Sequence, residues 1–149
     1  MTYARPSAKI LFPPRPLRSL LLHFSAACFI GVLATDIAYW MTAEMTWADF
    51  SAWLLAAGLL VGGLAGIAGI IDIATGRLPL RQGVGWLYVL GNIAAFAIAL
   101  FNALIHSRDA WTSVVPTGMT LSAVVVVLMV INAVLGRIVQ RQRFEVLTP

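Results

Sequence analysis

Four apolar runs follow one another along the chain, at 19–41, 52–75, 85–106 and 117–138. A helix needs about 20 mostly apolar residues to cross the hydrocarbon core of a bilayer, so the pattern predicts four membrane spans. The breaks between them carry polar or turn-forming residues. Segment 42–51 is polar, 76–84 holds Pro79 and Gly83, and 107–116 ends in Pro116. Connections this short place consecutive helices side by side and antiparallel. The expected fold is all-α, an integral membrane four-helix up-down bundle over 19–138. A basic, proline-rich arm at 1–18 precedes it and a basic tail at 139–149 follows.

Composition agrees with the pattern. Of 149 residues, 60% are hydrophobic and 11% charged, with a mean hydropathy of +0.90. Soluble domains average about 25% charged residues, and a chain this short cannot bury so much apolar surface in one aqueous core. The surplus is expected to face lipid. The single cysteine, Cys28, has no intramolecular partner for a disulfide and reads as a packing residue. The basic start followed by an apolar run resembles a signal peptide, but the run is too long and no clean cleavage site follows it. An uncleaved first span is expected.

Charge placement predicts orientation. Nine of the ten basic residues lie in the N-terminal segment, the second loop (Arg77, Arg81) or the C-terminal end, and Arg108 alone lies in the other loops. The positive-inside rule then puts both termini in the cytoplasm. Trp40, Trp47, Trp53 and Trp111 fall at the outer boundary and Trp86 at the inner one, as an aromatic belt would. The basic collar is expected to face anionic lipid, and no nucleic-acid partner is expected.

The second run carries Gly58, Gly62, Gly66 and Gly69 on one arc, which marks it for close packing against a neighbouring helix. The same arc aims Asp72 into the bundle. Each helix contributes one polar side chain to the cytoplasmic third: His23, Asp72, Asn92 and Asn132. Polar residues in spans tend to face the interior, so these four are expected to form one cluster. Its functional reading is a proton-handling or quinone-headgroup site. Its structural reading is interhelical hydrogen bonding, worth about 0.6 kcal/mol per bond, with Asp72 paired to Arg77 or Arg81.

The outer half holds Asp36, Tyr39, Asn102 and His106. Asp36 is expected to reach outer water, and His106 to sit at the boundary beside Arg108 and Asp109. The two histidines belong near opposite faces, about 20 Å apart by helix rise, so they cannot both ligate one haem iron. No metal site, phosphate-binding loop or nucleophile motif is present in the sequence. Enzyme activity is not expected, nor a resident cofactor, with haem or quinone kept as the alternatives.

The segments LRSLLLHFSAACFIGVLATDIAYW, TWADFSAWLLAAGLLVGGLAGIAGIIDIATGR and LGNIAAFAIALFN resemble the bacterial membrane family catalogued as domain of unknown function 2231. The resemblance covers roughly residues 17–140, with His23-Phe24, Asp36, Trp47, Gly69 to Asp72 and Asn92 at matching places. Arg18-Ser19, Ser25 and Tyr88 replace the family's early His-Pro, its proline after His-Phe and its third-helix histidine. Related domains occur joined to Rieske or cytochrome c modules, which implies other membrane or periplasmic redox subunits as partners. The expected function is a non-catalytic membrane subunit or anchor of a respiratory or dehydrogenase complex. A quinone- or haem-associated electron-transfer protein is one alternative, and a small-solute or proton permease the other.

Overall fold

The computed structural model describes residues 16–76, 83–107 and 114–145, with side chains up to 139. They form four helices, α1 (Pro16–Thr42), α2 (Met45–Ala74), α3 (Gly83–His106) and α4 (Thr117–Glu145). Each is long and apolar enough to cross a membrane. Neighbouring pairs are α1/α2, α2/α3, α3/α4 and α4/α1, so the bundle is a closed ring with α1 diagonal to α3. Only 17–28% of the most apolar window of each helix is buried within the bundle. The remainder, including Leu20, Leu60, Ile70 and Val130, faces outward. Such a surface is stable against lipid and not against water.

The helices extend beyond the apolar runs. Helix α1 takes in Arg18, expected in the arm, and α2 begins at Met45 within the expected polar loop. Helix α4 continues to Glu145, so most of the expected tail is helical. The physical reason is that hydropathy reports lipid contact, whereas a helix propagates on backbone hydrogen bonds and continues past the hydrocarbon. The α1–α2 connection shrinks to Ala43 and Glu44. Ala43 adopts a left-handed backbone (φ 56) and its N–H donates to the Tyr39 carbonyl at 2.7 Å, closing α1.

So short a connection makes α1 and α2 mirror images about residues 43–44. Asp36 meets Ser51, Phe29 meets Gly58, Ser25 meets Gly62 and Arg18 meets Gly69. On α2 this seam runs Ser51, Leu55, Gly58, Gly62, Ala65, Gly69, Asp72, steps alternating between four and three residues. That alternation is the 3.5-residue repeat of helices in left-handed packing. The expected glycine face is corrected accordingly. A Cβ on Gly58 would lie 2.8 Å from the Phe29 ring and one on Gly62 2.8 Å from the Ser25 hydroxyl, whereas one on Gly66 would meet nothing within 4 Å. A strict four-residue spacing drifts off a 3.5-residue seam, and Gly66 is where it leaves.

At mid-bundle, Phe29 and Val32 of α1, Leu55 of α2, Ala99 of α3 and Val125 of α4 form one apolar layer from all four helices. On α3 and α4, Asn102 meets Ser122, Gly91 meets Asn132 and Tyr88 meets Gly136, again a mirrored register. The seam predicts distinct responses to alanine. Gly58→Ala overpacks Phe29 and lowers stability by about 1–3 kcal/mol. Gly66→Ala leaves it unchanged or raises it by up to about 1 kcal/mol through helix propensity. Thermal unfolding in mild detergent measures both.

Candidate functional site

The hairpin register sets the site. Asp36 and Ser51 are equally far from the 43–44 connection, about 11 Å along their helices. Asn102, His106 and Ser122 flank the 107–116 connection at the same end of the bundle. Five polar side chains from four helices therefore converge on one level, above the apolar layer.

Asp36 is the hub. Ser51 donates to its Oδ1 at 2.6 Å, Ser122 donates to its Oδ2 at 2.6 Å, and His106 Nε2 lies 3.0 Å from Oδ1. Two further polar groups stand behind the serines. Asn102 Nδ2 donates to Ser122 Oγ at 2.8 Å, so the Ser122 proton is left for Asp36. Thr35 Oγ1 lies 2.7 Å from Ser51 Oγ and also faces the Gly31 and Val32 carbonyls of its own helix at 3.0 Å, so its single proton serves one of three acceptors. His106 Nδ1 in turn lies 3.0 Å from the Asn102 carbonyl, one turn back on its own helix.

Burial makes these bonds obligatory. Asp36, Ser51 and Asn102 are each 0% exposed, and the His106 side chain is 1% exposed. A carboxylate in such surroundings is retained only when paired and hydrogen-bonded. One polar atom of the centre, Asn102 Oδ1, has no hydrogen-bond partner among the described residues. Tyr39, the remaining polar residue of this half, turns away and donates to Met45 Sδ at 3.8 Å. The expectation that Asp36 reaches outer water is corrected, and His106, which ends α3 as its place in the sequence implies, turns its side chain inward rather than to water. The two side chains satisfy each other across the diagonal of the bundle, which costs less than threading either to water.

The four residues expected to form an inner cluster take separate partners. His23 is exposed, and its Nδ1 lies 2.6 Å from the Ser19 carbonyl of its own helix. Asn92 donates to the Tyr88 carbonyl at 2.7 Å, also within its helix. Asp72 is buried and accepts from Arg18 at 3.3 Å, and that guanidinium passes Gly69, where an added Cβ would lie 3.7 Å from it, an ordinary contact. Asn132 packs its amide on the Gly91 backbone. None of these bonds joins one of the four to another. The reason is azimuth: His23 falls on the lipid side of α1, and Asn92 turns back on α3. The expected partners Arg77 and Arg81, with Trp111, Arg108 and Asp109, lie outside the described residues.

On the outer wall, an apolar groove of about 470 Å³ runs between α3 and α4, lined by Leu87, Leu90, Gly91, Ala94, Leu128, Ile131, Asn132 and Leu135. Asn132 Nδ2 has no hydrogen-bond partner among the described residues. No group of three His, Cys, Asp or Glu side chains gathers to hold a metal ion among the described residues.

Sequence reasoning missed Ser51 and Ser122. Ser51 stood in what read as a polar loop, and Ser122 is a residue type that spans accommodate freely. The usable signal was register, since a two-residue turn would have set Ser51 opposite Asp36.

A family model described as "Predicted membrane protein (DUF2231)" matches residues 14–146, and the chain belongs to that family. No curated protein matches, and no solved structure does.

The centre predicts a ranking of variants. Asp36→Ala strands two serine hydroxyls and His106, and destabilises by about 3–5 kcal/mol. Ser122→Ala removes one donor and costs about 1 kcal/mol, while His23→Ala leaves the unfolding temperature unchanged. In a double-mutant cycle, Asp36→Ala with His106→Ala costs less than the two single changes together.

Proposed function

We propose that this member of the DUF2231 family is a non-catalytic membrane subunit that anchors or supports a redox complex, respiratory or dehydrogenase, in a bacterial inner membrane. The observation that carries this reading is the Asp36 centre. Its polar groups are spent on joining α1, α2, α3 and α4 to one another, and its carboxylate and imidazole are sealed from any substrate. A rigid bundle with an apolar outer wall is suited to docking against other spans. Redox company is supported by the resemblance to domains joined to Rieske and cytochrome c modules.

A second reading has one observation in its favour. The α3–α4 groove is apolar along its length and carries the amide of Asn132. An isoprenoid quinone combines an apolar tail with carbonyl acceptors, and a donor amide beside an apolar groove matches that chemistry. Under this reading Asn132→Leu abolishes quinone retention and leaves the fold intact.

Extraction of native membranes in mild detergent tests the first reading. A redox subunit is expected to co-migrate with the chain, and Asp36→Ala is expected to release it. Purification of the parent chain alone, free of redox partners, overturns the proposal. Solvent extraction of that same material for quinone decides the second reading.

A further inference from the structure

His106 is placed between two acceptors. Its Nδ1 faces the Asn102 carbonyl at 3.0 Å, and its Nε2 faces Asp36 Oδ1 at 3.0 Å. A carbonyl oxygen carries no proton, so Nδ1 must be the donor there. Both carboxylate oxygens of Asp36 already accept from serine hydroxyls, Oδ1 from Ser51 and Oδ2 from Ser122, each at 2.6 Å. Two lone pairs cannot face each other across the 3.0 Å contact, so a proton lies in it, and with both oxygens engaged as acceptors it is placed on Nε2. A neutral imidazole has one N–H, so the geometry requires one proton more than neutral histidine supplies.

We infer that the Asp36–His106 pair is a proton-binding site that exchanges its proton with water only at the Glu44 end of the bundle. Release is the heterolytic loss of the Nε2–H proton to water, with the bonding electron pair left on Nε2. That lone pair then faces a carboxylate oxygen, and the 3.0 Å contact becomes repulsive. Helices α1 and α3 lie on the diagonal of the ring, and this pair bridges them. The bound proton therefore holds the last turn of α3 against α1, and its loss loosens that end.

The one-sidedness follows from what lies on either side. His106 is the last residue of α3, the next residue Ser107 is exposed, and the exposed acids Glu44 and Asp49 lie at the same end. Toward the Arg18 end the apolar layer of Phe29, Val32, Leu55, Ala99 and Val125 follows at once. The next bond leaving α1 in that direction is Ser25 to the Gly58 carbonyl, about 16 Å along the helix. It ends on a carbonyl that has no proton to pass on. Among the described residues, the groups facing the pair are Thr35 from α1, Ser51 from α2, Asn102 from α3 and Ser122 from α4, all uncharged. The orphaned acceptor Asn102 Oδ1 is a place for an entering water.

The chain has two histidines, and His23 is exposed and, among the described residues, bonded only within its own helix. His23→Gln therefore leaves His106 as the sole imidazole. Nitrogen-15 histidine spectra of this chain, inserted in one orientation in sealed phosphatidylcholine vesicles, read the protonation of both ring nitrogens directly. Near neutral pH both nitrogens are expected to carry protons, and Asp36→Asn is expected to leave one. Raising the pH on the Glu44 side is expected to convert the spectrum to the singly protonated ring, and raising it on the Arg18 side to change nothing. The inference is overturned by a singly protonated ring in the starting chain, by no response from the Glu44 side, or by a response from the Arg18 side. A doubly protonated ring in Asp36→Asn overturns it as well. The measurements on the chain that keeps Asp36 stand whether or not that variant folds, and all of them are independent of any partner subunit.

Discussion

A carboxylate held between helices in lipid finds its hydrogen-bond donors on other helices, because the hydrocarbon supplies none and its own backbone is committed. Asp36 meets that constraint by drawing Ser51, Ser122 and His106 onto one level. Individual interhelical hydrogen bonds contribute little, about 0.6 kcal/mol on average. The penalty for leaving the charge unpaired is several times larger. The centre therefore acts less by adding stability than by excluding alternatives. A slip of α2 by one residue turns Ser51 by about 100° around its helix and strips a donor from a buried anion.

Below that level the bundle is zipped by shape. Along α1 and α2 a larger side chain on one helix meets a small residue on the other: Phe29 on Gly58, Ser25 on Gly62, Arg18 at Gly69. Between helices in lipid the driving force is contact, since tails are as apolar as leucine. Close approach is thus bought by removing side chains from one partner. Gly69 differs in kind, because a Cβ there would make only an ordinary contact, 3.7 Å, with the Arg18 guanidinium that reaches Asp72 at the far end of the same seam. The hairpin is tied by polar contacts at both ends and by packing between them.

Much of this was legible in the residues. The four runs, their antiparallel order and the importance of the second-helix glycines follow from hydropathy and small-residue spacing. Asp36, Asn102 and His106 were recognisable as polar residues of one half, but Asp36 was assigned to water and His106 to its boundary, since a sequence gives depth along a helix without giving the neighbour across the gap. Ser51 was hidden because α2 starts earlier than its hydropathy does. The inner four residues illustrate the converse. His23, Asp72, Asn92 and Asn132 share a depth, yet the rotation of each helix sends them to different partners.

The sequence by itself determined that the chain lives in a bilayer, how many times it can cross, and where each polar side chain sits along its helix. Those are one-dimensional quantities, set by transfer free energy and by rise per residue. Tertiary structure decided which polar groups meet, because that depends on helix rotation and register. A two-residue turn set the register of α1 against α2, and a 3.5-residue seam set the rotation. Between them they turned an acid and a histidine, 70 positions apart, into one buried pair.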